Sequence, residues 1–178
     1  MKRLKHRKSV LLIAAFTTAL SLAQAQAQDI EPPSANVNEP AVKISWTNKA
    51  GEQEKIVVTR SDMQAMQQTA NRLQLPDALG ISGSHNWQGV SLKQVVARSG
   101  YNTKVLQATA LNGYFVEVPQ DDLERFDPIL AFRRDDQFIS IREKGPFILI
   151  YPFNQFPELN QQRYINRTVW QIDELNLR

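Results

Sequence analysis

The chain has 178 residues, enough for one domain with a sizeable core, and it contains no cysteine and only two histidines. Disulfides are therefore excluded, and a zinc or haem centre would lack its usual ligands. The formal charge of +3 is owed to five Lys and Arg within the first eight residues, and no dense basic run follows them, so a nucleic-acid surface is not expected.

Lys2, Arg3, Lys5, Arg7 and Lys8 form a basic start, Val10 to Leu22 an apolar core, and Ala25-Gln26-Ala27 a small-residue cleavage site. These are the three parts of a secretory signal peptide over residues 1–27. The apolar core falls short of the ~20 residues that cross a bilayer, so the expectation is an exported, periplasmic protein without direct membrane insertion. Residues 28–40 carry Pro32, Pro33, Ser34, Asn36, Asn38 and Pro40, the composition of a flexible lead-in. Residues 41–178 are left as one folded domain.

In that domain Val42, Ile44 and Trp46 alternate with polar residues, and Ile56 to Val58 resume after an Asn48 to Gly51 turn, which predicts a hairpin. Ser61 and Gln64 have capping-box spacing and predict a short helix to about Gln67. Leu75 to Gly89 reads as a loop holding His85 as a solvated residue. Ser91 and Gln94 open a second helix with Leu92, Val95 and Val96 on one face, stopped by Gly100. Short apolar runs then predict strands at Val105 to Ala110, Tyr114 to Val118, Ile129 to Phe132, Phe138 to Ile141 and Phe147 to Tyr151, with a turn at Asp135-Asp136. The unbroken Phe147 to Tyr151 run predicts burial on both faces. Short helices are expected at Asp121 to Phe126 and Pro157 to Arg163, and the acids Asp121, Asp122 and Glu124 read as complements to a helix dipole. The sum is a β-rich α+β domain with mixed sheets and short helices.

Four segments carry a resemblance. Gly89-Val-Ser-Leu-Lys-Gln-Val-Val96, Ala110-Leu-Asn-Gly-Tyr-Phe-Val-Glu-Val-Pro119, Ile129 to Arg133 with Gly145-Pro-Phe-Ile-Leu-Ile-Tyr-Pro152, and Arg167-Thr-Val-Trp170 with Ile172 occur in this order. In order and spacing they resemble the molybdopterin-binding domain of the sulfite oxidase superfamily. The family holds its molybdenum through a cysteine thiolate, which is absent upstream of Gly89, and a neutral side chain does not replace that ligand. The resemblance is thus to a short, cysteine-less, periplasmic branch. It implies a non-catalytic protein without a covalently bound cofactor or molybdenum, binding a free reduced pterin. It also implies, as partner, the periplasmic region of a membrane-bound GGDEF/EAL-type enzyme that makes or degrades cyclic di-GMP. Two other readings stay open: a molybdopterin-dependent oxidoreductase or its subunit, and a structural domain with a degenerate pocket.

A pterin is a flat ring with a dense donor and acceptor edge, so its site needs aromatic faces and fixed amides or guanidiniums. Asn112, Tyr114, Arg133, Tyr151, Asn154, Arg167 and Trp170 lie near the motif ends and are the candidate contacts, with Arg133 favoured because it ends a strand. Plainer readings stand beside them: a core tyrosine at Tyr114, a core tryptophan at Trp170, turn chemistry at Asn112-Gly113, and local ion pairs at Arg133.

Overall fold

The computed structural model describes residues 39–178, so the expected signal peptide and all but the last two residues of the expected lead-in lie outside the described residues. Those two are held in place. Glu39 accepts a hydrogen bond from the Ser61 amide at 2.7 Å, and the Pro40 carbonyl accepts one from Arg60 at 2.9 Å.

The predicted hairpin forms as β1 (Ala41–Thr47) and β2 (Gln53–Thr59), with Val42, Ile44 and Trp46 turned inward as their alternation requires. β1 also pairs in parallel with β10 (Ile172–Leu177), which is antiparallel to β5 (Val105–Ala110), and β5 in turn to β6 (Phe115–Pro119). The first sheet therefore has the order β2-β1-β10-β5-β6. The second sheet is built on β7 (Ile129–Arg134), whose residues are buried from Ile129 to Phe132. On one side of β7 lies β4 (Ser84–Ser91), followed by β3 (Gln68–Gln74). On the other side β8 (Gln137–Phe138) and β9 (Ile148–Ile150) pair with successive stretches of β7. Phe147 to Tyr151 is buried throughout, as its unbroken apolar run predicts.

Four short helices complete the domain: α1 (Arg60–Ala65), α2 (Leu92–Ala97), α3 (Gln120–Arg125) and α4 (Gln162–Arg167). Leu92, Val95 and Val96 of α2 and Leu123 of α3 join one apolar cluster that takes in residues of both sheets.

The structure differs from the sequence expectations at several places. Of the strand expected over Phe138 to Ile141 only Phe138 lies in a strand, β8, and Ile141 opens a 3-10 turn to Glu143; the helix expected over Pro157 to Arg163 is a 3-10 turn at Pro157–Leu159 followed by α4. α1 is capped by Thr59, not Ser61. The Thr59 hydroxyl accepts from the Asp62 amide, and the Asp62 carboxylate accepts from the Thr59 amide, a reciprocal pair that the extended end of β2 sets in place two residues earlier. Ser91 does cap α2, but its hydroxyl donates to Asp127 and no reciprocal box closes with Gln94. The stretch from Gln68 to Gly89 is mostly strand: β3 and β4 pair over seven residues, leaving only Leu75 to Gly83 as connection, with a 3-10 turn at Asp77–Leu79. Last, the resemblance segment Arg167 to Trp170 with Ile172 is not one element: Arg167 ends α4, Trp170 makes an isolated bridge to Ile148, and Ile172 opens β10.

Candidate functional site

The β5–β6 hairpin turns tightly because Gly113 takes φ +82°, its amide donating to the Ala110 carbonyl at 2.9 Å. Asn112 Oδ1 accepts from the Tyr114 amide at 3.0 Å, and Ala110 N donates to Tyr114 O at 2.8 Å. These bonds fix Tyr114 just before β6 and leave its side chain 54% exposed. The hairpin is tied to the far wall, since the Leu111 amide donates to the Gln171 carbonyl at 2.9 Å.

Between them lies a cleft of about 280 Å³. Its walls are Ala110, Asn112 and Tyr114 of the hairpin, Ala78 and Leu79 of the 3-10 turn, Gln162, Ile165 and Asn166 of α4, and the Thr168 to Trp170 segment. Asn112, Tyr114 and Trp170 are thus brought together as the motif ends suggest. Five further contributors come from places without a sequence signal: Ala78 and Leu79 of the turn, and Gln162, Ile165 and Asn166 of α4, where Gln162 Nε2 donates to Asn166 Oδ1 at 2.7 Å. That bond engages the Gln162 amide nitrogen and the Asn166 oxygen, and leaves the Gln162 oxygen as an acceptor and the Asn166 amide nitrogen as a donor.

Lys144 braces the cleft from behind. Its Nζ donates to the Leu79 carbonyl at 2.8 Å and sits 3.8 Å from the Trp170 ring centroid, so one ammonium joins the 3-10 turn to the tryptophan. Lys144 itself has φ +74°, and its carbonyl accepts from Gln171, which has φ +61°.

The remaining four candidates lie elsewhere. Tyr151 is fully buried, and its hydroxyl donates to Asp122 Oδ2 at 2.7 Å; burial first, and then the Asp122 contact, push that hydroxyl far above the ordinary tyrosine range. Arg167 donates to the same Asp122 oxygen at 2.7 Å. Asp122, read from sequence as a dipole complement, is instead 6% exposed and joins α3, α4 and the end of β9. Asn154 donates to the Arg72 carbonyl at 3.2 Å beside a neighbouring hollow that shares Ile165 with the cleft. Arg133 projects from β7 to the Asp136 carbonyl at 2.8 Å and does not line the cleft. His85 is not a solvated loop residue: it sits in β4 with Nδ1 2.6 Å from Asp135 and Nε2 2.9 Å from the Ser82 carbonyl.

The cleft lining holds no Asp, Glu, Lys or Arg. It offers aromatic surface, amide donors and acceptors and the hydroxyls of Tyr114 and Thr168, the inventory for a flat uncharged heterocycle. Molybdopterin fits these residues poorly. The chain has no thiolate to ligate the metal, and the lining has no cation to meet the cofactor's phosphate. Among the described residues no group of three or more His, Cys, Asp or Glu is placed to hold a metal ion.

No protein-family model matches the chain, and no curated protein matches it either. Among solved structures, the sulfane dehydrogenase SoxCD from Paracoccus pantotrophus superposes with a TM-score of 0.58 over 77% of this chain at 17% identity. The chain has the sulfite oxidase-type fold. It spans 37% of the length of that enzyme chain, and at this identity the likeness extends to the fold alone.

Proposed function

We propose that the protein is a periplasmic, non-catalytic ligand-binding protein that takes a reduced pterin in the cleft between the β5–β6 hairpin and α4, and reports its occupancy to a membrane-bound enzyme of cyclic di-GMP metabolism. The observation that carries the ligand reading is the uncharged lining that joins Tyr114 and Trp170 to the amides of Asn112, Gln162 and Asn166. Aromatic faces select a flat ring, and fixed amides match its edge without requiring charge. The cleft supplies no acid–base pair and no thiolate, which favours binding over turnover. The signalling partner and the export route rest on the sequence resemblance and the basic, apolar, small-residue start.

Calorimetry with tetrahydropterin on the mature protein tests the ligand. Stoichiometric binding with a negative heat-capacity change is expected, because the ring leaves water for an apolar cleft. Absence of any binding by tetrahydropterin leaves a structural domain.

A further inference from the structure

Arg133, moved off the cleft by the structure, belongs to a second arrangement. Its guanidinium carbon lies 3.9 Å from the Phe138 ring centroid, and that of Arg60 lies 4.0 Å from the same centroid. Two guanidiniums at stacking distance from one ring clash unless they take opposite faces, so Phe138 is sandwiched between them. The ring remains 39% exposed. Arg133 also borders a hollow of about 240 Å³ with the amides of Gln64, Gln68 and Gln88.

Neither arginine has an ion pair among the described residues, in contrast to Arg125, Arg134, Arg167 and Arg178. The nearby carboxylates are engaged elsewhere, Asp62 by Thr59 and Asp136 by the Gln88 amide. Arg60 Nε is buried without a hydrogen-bond partner. The stacking holds both guanidiniums against one ring, so less side-chain freedom remains to be lost when a partner docks. Two guanidiniums without a carboxylate partner among the described residues and an exposed aromatic between them make a surface whose complement is a carboxylate.

We infer that the Arg60–Phe138–Arg133 face is where the protein binds an acidic segment of a protein partner. It extends the reading above by naming the surface that meets the partner. Since the face lies on residues that do not line the cleft, it is measured without pterin, and failure of either idea is seen separately.

The test is fluorescence anisotropy of a fluorescein-labelled peptide with Glu at alternating positions, so that an extended chain presents its carboxylates on one side. The mature protein is titrated at low and at physiological salt. Arg60→Gln with Arg133→Gln is expected to weaken binding tenfold or more while tetrahydropterin binding is retained. Lys55→Gln with Lys93→Gln removes the same charge from exposed positions and is expected to change binding less than threefold. Circular dichroism confirms that both double variants fold, and if the arginine pair does not, Phe138→Ala replaces it with the same expected loss. Equal losses in the two double variants overturn the proposal in favour of unspecific attraction. Absence of peptide binding by the wild type overturns it too, and if millimolar inorganic phosphate then shifts the wild type's melting temperature but not that of the arginine variant, the face is a small-anion site instead.

Discussion

Tyr151 and Arg167 converge on one oxygen, Asp122 Oδ2, each at 2.7 Å, across 29 and 45 residues of sequence. The carboxylate comes from α3, the phenol from the end of β9 and the guanidinium from α4, so a single atom fixes the position of the helix that forms one cleft wall. Asp122→Ala strands a guanidinium and a buried phenol together and is expected to cost about 3–5 kcal/mol. Tyr151→Phe removes one donor from a carboxylate that keeps its arginine, and about 1–2 kcal/mol is expected. Urea denaturation of both variants checks the order; equal costs would show that the ion pair contributes nothing.

Gly89 is required by a close approach and not by a turn. A Cβ at this position would stand 2.2 Å from the Leu130 carbonyl oxygen, where β4 and β7 shift register between Gln88 and Gly89. That oxygen belongs to the backbone, as does the Ala131 Cα at 2.6 Å, and neither can swing away. Gly89→Ala is expected to destabilise by about 3 kcal/mol or more, read as a fall in melting temperature, whereas Gly51→Ala, with no atom nearby, costs only the strain of its positive φ.

A third prediction concerns acid. The Asp135 carboxyl is held below its ordinary value of 3.8 by the Asn86 amide and then by His85. The unfolded chain therefore takes up this proton more readily than the folded one, so the stabilisation is complete above about pH 4 and is lost as pH falls through the folded value. Asp135→Asn should flatten the acid limb of the stability–pH profile; an unchanged limb between pH 4 and pH 2 would refute the assignment.

Cleft residues are separated from the rest by affinity and stability together. Tyr114 is more than half exposed, so Tyr114→Ala is expected to leave the melting temperature within about 2 °C while weakening tetrahydropterin by about 1 kcal/mol or more, at least roughly fivefold. Arg133→Ala, outside the cleft, is expected to leave that affinity unchanged. Lys144→Met removes the brace between Leu79 and Trp170 and is expected to weaken binding by loosening both walls.

Sequence patterning made the β1–β2 hairpin, β5, β6, β7 and the faces of α2 readable because each carries apolar residues in an alternation, a helical face or, in β7, an unbroken run. β3 and most of β4 were not, since Gln68, Asn71, Arg72, Gln74, His85, Asn86 and Gln88 are polar and their strand conformation is imposed by cross-strand pairing. The same distinction runs through the cleft. Asn112, Tyr114 and Trp170 lie at motif ends, whereas Ala78, Gln162 and Asn166 are ordinary residues on a turn and an exposed helix face, brought there by tertiary contacts alone. Arg133, expected to end a strand, is the last residue but one of β7, which runs on to Arg134, and it does not line the cleft.

The place of β10 bears on how the chain folds in time. It lies at the centre of the first sheet, parallel to β1 with Lys43 opposite Glu174, and beside β5. A nascent chain thus holds β1, β2, β5 and β6 as two separate hairpins with nothing to join them until residue 177 has been made. Closure across so long a span is entropically costly and slow, in the millisecond-to-second range for β-rich topologies. Synthesis thus delivers every strand of the second sheet before the one strand that joins the two hairpins of the first.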